Sequence, residues 1–214
     1  MKGRVLIADD HPLVRDALRL VIQARWPALI IDEAGSVSEI EKVANRHGDY
    51  KLVLLDLMLP DAHGFSGLIF LKKLMEKTPV VVISSRHDAQ TMASARILGA
   101  AGFIPKSAPL QQMTLAFERA MGGETHFPAA AQDASNGSVN IAEAGRKIAN
   151  LSAAQLRILL ALADGKLNKQ IANDMKITEA TVKAHLTAIF RKLGVHNRTQ
   201  AILAAQPLLE SGTG

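Results

Sequence analysis

The feature that most constrains this chain is an alternation that fills its first half and then stops. Short apolar runs at Val5–Ala8, Leu29–Ile31, Leu52–Leu55, Val80–Ile83 and Phe103–Ile104 are separated by stretches whose apolar residues recur at helical spacing. Those stretches are Leu13–Ala24, Val37–Asn45, Phe65–Lys73, Ala89–Leu98 and Leu110–Met121. Five strands alternating with five helices predict a parallel sheet with helices on both faces. The run Val80-Val81-Val82-Ile83 has no polar alternate position, as expected of a strand covered on both sides. Residues 122–150 lack any sustained period and hold Gly122-Gly123, Pro128, an alanine run and Ser135-Asn136-Gly137-Ser138. They read as a linker, with Ile141–Ala149 fitting a short helix. From Leu151 onward the pattern is helical with no strand signal. The expectation is a five-stranded, parallel, doubly wound (flavodoxin-like) α/β domain over residues 3–121, a linker over 122–147, and an all-α, four-helix domain over 148–209.

Composition narrows the function. No cysteine is present, which excludes disulfides, thiol catalysis and Cys-ligated metal. Val5–Ala8 is too short for the apolar core of a secretion signal, and no run of apolar residues is long enough to span a bilayer. A cytosolic protein with no membrane partner is expected. The net charge of +5 is uneven: residues 151–214 carry eight Lys or Arg against four Asp or Glu, whereas residues 1–125 carry 15 against 14. The basic excess in the last third fits either a polyanion partner or an ordinary solvated helical surface.

In a parallel α/β sheet, ligands sit at the carboxyl ends of the strands. The strand ends here carry Asp9-Asp10, Asp56 and Ser84-Ser85, and Lys106 follows the last strand. Taken singly, each such residue reads equally well as a helix cap or a turn residue. Taken together, three carboxylates in one crevice repel one another unless a cation lies among them. A hard divalent ion answers that need, and Mg²⁺ suits carboxylates, waters and a phosphate. One carboxylate is then free to act as nucleophile on phosphorus, with Lys106 and the Ser84 hydroxyl neutralising the phosphoryl oxygens.

The segments VLIADDHP, VLLDLMLPD, VVVISS and GAAGFIPKS resemble, in order and spacing, the receiver domain of bacterial two-component response regulators. The resemblance covers residues 3 to about 121. It implies Asp56 as phospho-acceptor, Mg²⁺ held directly by Asp10, Asp56 and the Met58 carbonyl and through water by Asp9, and a phosphoryl group held by Ser84 and Lys106. It implies that Phe103, three residues before the lysine, is the switch aromatic, turning inward as Ser84 shifts toward the phosphate. Three positions depart from the family. His63 precedes Gly64 where an acid is common, and Met58 and Arg86 occupy sites that tune phosphate lifetime in the family.

In the last third, helices are expected at about Asn168–Met175, with Asn168 as cap, and about Glu179–Leu193, capped by Thr178 and ended by Gly194. Two short helices separated by three residues fit a helix-turn-helix over 166–193, or a plain helical hairpin. The segment LSAAQLRILLALADGKLNKQIANDMKITEATVKAHLTAIFRKLGVHNRTQA resembles the DNA-binding domain of the LuxR/FixJ/NarL regulators over about residues 148–206. Val182, Leu186, Ile189 and Leu193 then face the core. Lys183, Ala184 and Thr187 match the family's base-reading positions, with Lys183 suited to guanine and the Ala184 methyl to thymine. Asn168, Lys169, Thr181, Arg191, Lys192 and Arg198 are candidates for phosphate contacts. Gln155, Ala153 and Lys176 stand where the family favours Glu, Pro and Gly. A last helix, about Thr199–Leu209, pairs two copies of the domain in relatives.

Together the two resemblances imply a non-enzymatic, phosphorylation-controlled transcriptional regulator. It takes a phosphoryl group from a sensor histidine kinase, binds double-stranded promoter DNA as a homodimer and acts on the transcription machinery. The alternative is an atypical regulator of the same fold that binds DNA independently of phosphorylation. A phosphatase with an aspartyl nucleophile wants an acid where Met58 stands. A flavin mononucleotide module wants a phosphate cradle where Asp9-Asp10 stand.

Overall fold

The computed structural model describes residues 2–132 and 138–209. The first domain runs β1 (Gly3–Ala8), α1 (Pro12–Arg25), β2 (Leu29–Ala34), α2 (Val37–His47), β3 (Leu52–Leu55), α3 (Ser66–Leu74), β4 (Val80–Ser84), α4 (Ala89–Ile97), β5 (Gly102–Pro105) and α5 (Leu110–Met121). All strand pairs are parallel, in the order β2-β1-β3-β4-β5. β1, β3 and β4 are therefore neighbours, so their carboxyl ends converge on one crevice.

Side chains alternate across these strands with period two, and both sets are apolar. Leu6, Ala8, Val53, Leu55, Val80, Val82 and Phe103 face α2, α3 and α4 in one core. Val5, Ile7, Leu52, Leu54, Val81, Ile83 and Ile104 face α1 and α5 in another. Burial on both sides explains why the strands read as unbroken apolar runs.

The linker is more ordered than its composition suggests. Residues Ala129–Gln132 form a 3-10 turn, and α6 spans Ser138–Ala149. Ala131, Ile141, Ala144 and Ile148 are buried in the core that also holds α3 and α4 residues, which supplies the ordering that the sequence pattern hides. The expected loop signal Ser135-Asn136-Gly137 lies outside the described residues.

The second domain comprises α7 (Ala153–Ala163), α8 (Asn168–Met175), α9 (Glu179–Leu193) and α10 (Arg198–Leu209). Ser152 caps α7 in a reciprocal box with Gln155. Thr178 caps α9 by accepting from Thr181 N at 3.1 Å, and Gly194 closes it. The expected Asn168 cap is corrected. Leu167 holds the cap position, and the Gln170 side chain accepts from its N–H at 2.7 Å, so the glutamine at the third helical position supplies the missing polar partner. Lys176 is left-handed, at φ 54° and ψ 44°, and carries a strain of about 1–2 kcal/mol that glycine would lack.

The domains pack against each other. Phe65 N donates to Leu208 O at 2.8 Å, Arg157 pairs with Glu41 at 2.9 Å, and Lys73 Nζ donates to Ala149 O. Gly64, at φ 52°, lets α10 approach: a Cβ there would meet Leu208 O at 2.4 Å.

Candidate functional site

Each acid of the crevice is placed by the end of a strand. Ala8 pairs with Leu55 and Asp56 N donates to Ala8 O, so Asp9 and Asp56 emerge side by side. Ser84 ends β4, and Lys106 N donates to Ser84 O at 2.9 Å, which sets Lys106 beside it. The Lys106 ammonium lies 2.6 Å from Asp56 Oδ2 and 2.7 Å from Asp9 Oδ2. Asp56 Oδ1 accepts from Met58 N at 3.1 Å, which turns the loop around this carboxylate. Ser84 is fully buried, and its hydroxyl accepts from Arg86 N.

Asp9 and Asp56 are only 1% and 3% exposed, whereas Asp10 sits at the mouth. Burial pushes the Asp56 carboxyl up, against the pull of Lys106 and the Met58 N–H. Burial also works against the Lys106 ammonium, but Asp56 and Asp9 outweigh it and its pKa is raised. A fixed positive charge thus stands at the strand ends, next to a buried acid whose ionised form burial disfavours.

Donor atoms of Asp9, Asp10, His11 and Asp56 all lie within 4.8 Å of one another. A hard divalent ion fits this oxygen-rich set. Sequence reasoning missed His11. Its Nδ1 lies 2.7 Å from Asp10 Oδ1 and 3.3 Å from Asp9 Oδ1, and its N–H donates to Asp9 Oδ1. Its place directly after two acids was the available signal.

Phe103 is fully buried among the α3 and α4 residues. His63, the departure from the usual acid, finds its acid in the other domain: Nε2 lies 3.1 Å from Asp164 Oδ1. No sequence signal links residues so far apart in the chain.

The helix-turn-helix leaves one side of α9 open to solvent. Lys183, Ala184, Thr187 and Arg191 on α9 and Lys169 on α8 are exposed, whereas Val182, Ile189 and Leu193 are buried. Leu186 and Asn168 are half-buried. Thr181 Oγ1 contacts Thr178 Oγ1 at 2.9 Å, in the cap. Two expected phosphate ligands have internal partners. Lys192 Nζ donates to Asn150 O and to Gln155 Oε1 at 2.8 Å, and Arg198 donates to Leu162 O and Lys166 O. Gln155 replaces the family's Glu as a neutral partner for Lys192.

Comparison with known proteins agrees with both halves. The response regulator receiver domain matches residues 5–118, and the luxR family of bacterial regulatory proteins matches residues 149–205. The chain is 41% identical over 208 residues to the glycerol metabolism activator of Pseudomonas putida, covering 94% of each protein. It is 30% identical over 202 residues to the nitrate/nitrite response regulator protein NarL of Escherichia coli K12, covering 92% of each. A solved RcsB–DNA complex shares the fold at a TM-score of 0.56 and 18% identity, covering 97% of this chain and all of that one. The buried acids around Lys106, the exposed α9 face and these matches lead to one family: the chain belongs to the response regulators that join a receiver domain to a LuxR-type helix-turn-helix domain, and it is a DNA-binding transcriptional regulator.

Proposed function

We propose that Asp56 accepts a phosphoryl group from a phosphorylated histidine of a sensor kinase. The Asp56 carboxylate attacks phosphorus, the phosphorus–nitrogen bond breaks, and the freed imidazole takes up a proton. Lys106 and the Ser84 hydroxyl hold the phosphoryl oxygens, and Phe103 is the aromatic that responds. Asp10, Asp56 and the Met58 carbonyl, with Asp9 beside them, would hold Mg²⁺. When bound, the ion supplies positive charge against the developing charge on the phosphoryl oxygens. The observation that carries this reading is the Lys106 ammonium set between two buried carboxylates, within 2.7 Å of each.

The output is binding to double-stranded promoter DNA as a homodimer, in the cytoplasm, with consequences for the transcription machinery. Lys183, Ala184 and Thr187 read bases, while Asn168, Lys169, Thr181 and Arg191 lie along the phosphates. Lys192 and Arg198 meet the DNA backbone with the donors that their internal oxygens leave free. The test is incubation with Mg²⁺ and a small acyl-phosphate donor. The wild-type chain gains a phosphoryl mass and Asp56→Asn does not; a wild type without that gain defeats the proposal.

One observation favours a second reading, in which DNA binding is independent of phosphate: the reading face of α9 is exposed although the domains are docked. DNA affinity identical in wild type and Asp56→Asn, with or without donor, supports that reading.

A further inference from the structure

β5 is an edge strand of the sheet, and its outer edge is paired to the linker. His126 N donates to Ala101 O and Phe103 N donates to His126 O, both at 2.9 Å, forming a parallel bridge between Gly102 and His126. The approach is close: a Cβ on Gly102 would lie 2.9 Å from His126 O. The anchor is backbone, since the half-buried His126 ring has no hydrogen-bond partner at Nδ1.

The bridged strand carries Phe103, the aromatic of the proposed switch, and leads directly into Lys106. Phe103 itself makes one of the two bonds, and Lys106 lies three residues further along. Beyond the bridge the described linker residues pack on the same side of the domain. Phe127 is partly buried, Ala131 is fully buried against the core, and α6 rests on α4 with Gly145 against Leu98. From α6 only three residues separate the linker from α7.

We infer that the Phe103–His126 backbone bridge couples the phosphoryl site to the DNA-binding domain, with His126 as the positioning residue. This rests on the function proposed above. Plain protection of a sheet edge, the competing role, would leave the response to phosphate unchanged when the bridge is broken.

The experiment measures two quantities, phosphoryl mass with Mg²⁺ and acyl phosphate, and affinity for a duplex that the wild type binds, with and without donor. Gly102→Ala drives a methyl into His126 O, and His126→Pro removes the N–H donor while lying outside the sheet itself. Both variants are expected to take up the phosphoryl group, yet to lose the wild-type gain in affinity, from about 5–150-fold down to about one. His126→Ala keeps the backbone bonds and is expected to keep the wild-type gain. Either bridge variant that is phosphorylated and retains the full gain overturns the inference, as does loss of the gain in His126→Ala. Amide exchange in the wild-type chain adds an independent readout: protection at Phe103 and His126 is expected to change together on phosphorylation, and a change at Phe103 alone overturns the bridge. A wild type that gains no phosphoryl mass defeats the proposed function, and this inference with it; failure confined to the variants or to the exchange pattern defeats the coupling alone.

Discussion

The crevice around Asp56 and the face of α9 solve the problem of charge in opposite ways. In the crevice, acids and a lysine are held within hydrogen-bonding distance and largely out of water, so charge is preorganised and strongly felt. On α9, Lys183 and Arg191 stand in solvent. Their charges are screened by salt, and on meeting DNA such cations displace the counterions condensed on its phosphates. The first arrangement suits a single covalent event at one atom. The second suits a reversible encounter with a long polyanion, where affinity is a sum of modest contacts.

That contrast predicts effects of different size and kind. Lys106→Ala leaves the crevice without its fixed cation, and the rate of phosphoryl uptake from acyl phosphate is expected to fall about 10²–10³-fold. A fall of less than tenfold would mean that the ammonium is only structural. Lys183→Ala removes one exposed contact and is expected to cost about 1–3 kcal/mol of binding, concentrated on some base pairs rather than others. Competition among duplexes with single base-pair changes checks this, and a uniform loss would make Lys183 a backbone contact instead.

The smallest effect is on stability. Burial raises the Asp56 pKa, so the ionised carboxylate is the form the fold disfavours. Below the pKa of the unfolded chain the carboxyl is neutral in both states and nothing is lost. The cost begins as pH rises through that value, grows until the higher folded pKa is passed, and persists at neutral pH. Asp56→Asn is therefore expected to stabilise the metal-free chain by about 0.5–2 kcal/mol at neutral pH. The gain shrinks as pH falls toward the carboxylate range. Urea unfolding across that range measures it, and a gain that grows on acidification would reverse the sign.

The same contrast governed what was legible in the sequence. Asp9, Asp10, Asp56, Ser84 and Lys106 sit at strand ends, and a parallel sheet leaves those ends little choice of place. The order β2-β1-β3-β4-β5 then brings them together. The bounds of α9 were equally plain, because Thr178 and Gly194 punctuate them. Contacts made by tertiary packing were hidden. Ala131 and Ala144 looked like linker residues until α4 and its neighbours buried them. The His63–Asp164 pair, the Gly64–Leu208 approach and the His126 bridge join residues with no local pattern in common. Lys192 and Arg198 read only as candidates for phosphate contacts, since a sequence does not reveal the carbonyls of Asn150 and Leu162 beside them.

The central claim is that charge placed on one buried aspartate changes how an exposed helix meets DNA. Titration of a promoter duplex at fixed salt, with and without Mg²⁺ and acyl phosphate, tests it in wild type and Asp56→Asn side by side. The wild type is expected to bind more tightly once phosphorylated, and the variant to hold one affinity throughout. Equal shifts in both proteins, or none in a wild type shown by mass to carry the phosphoryl group, would contradict it.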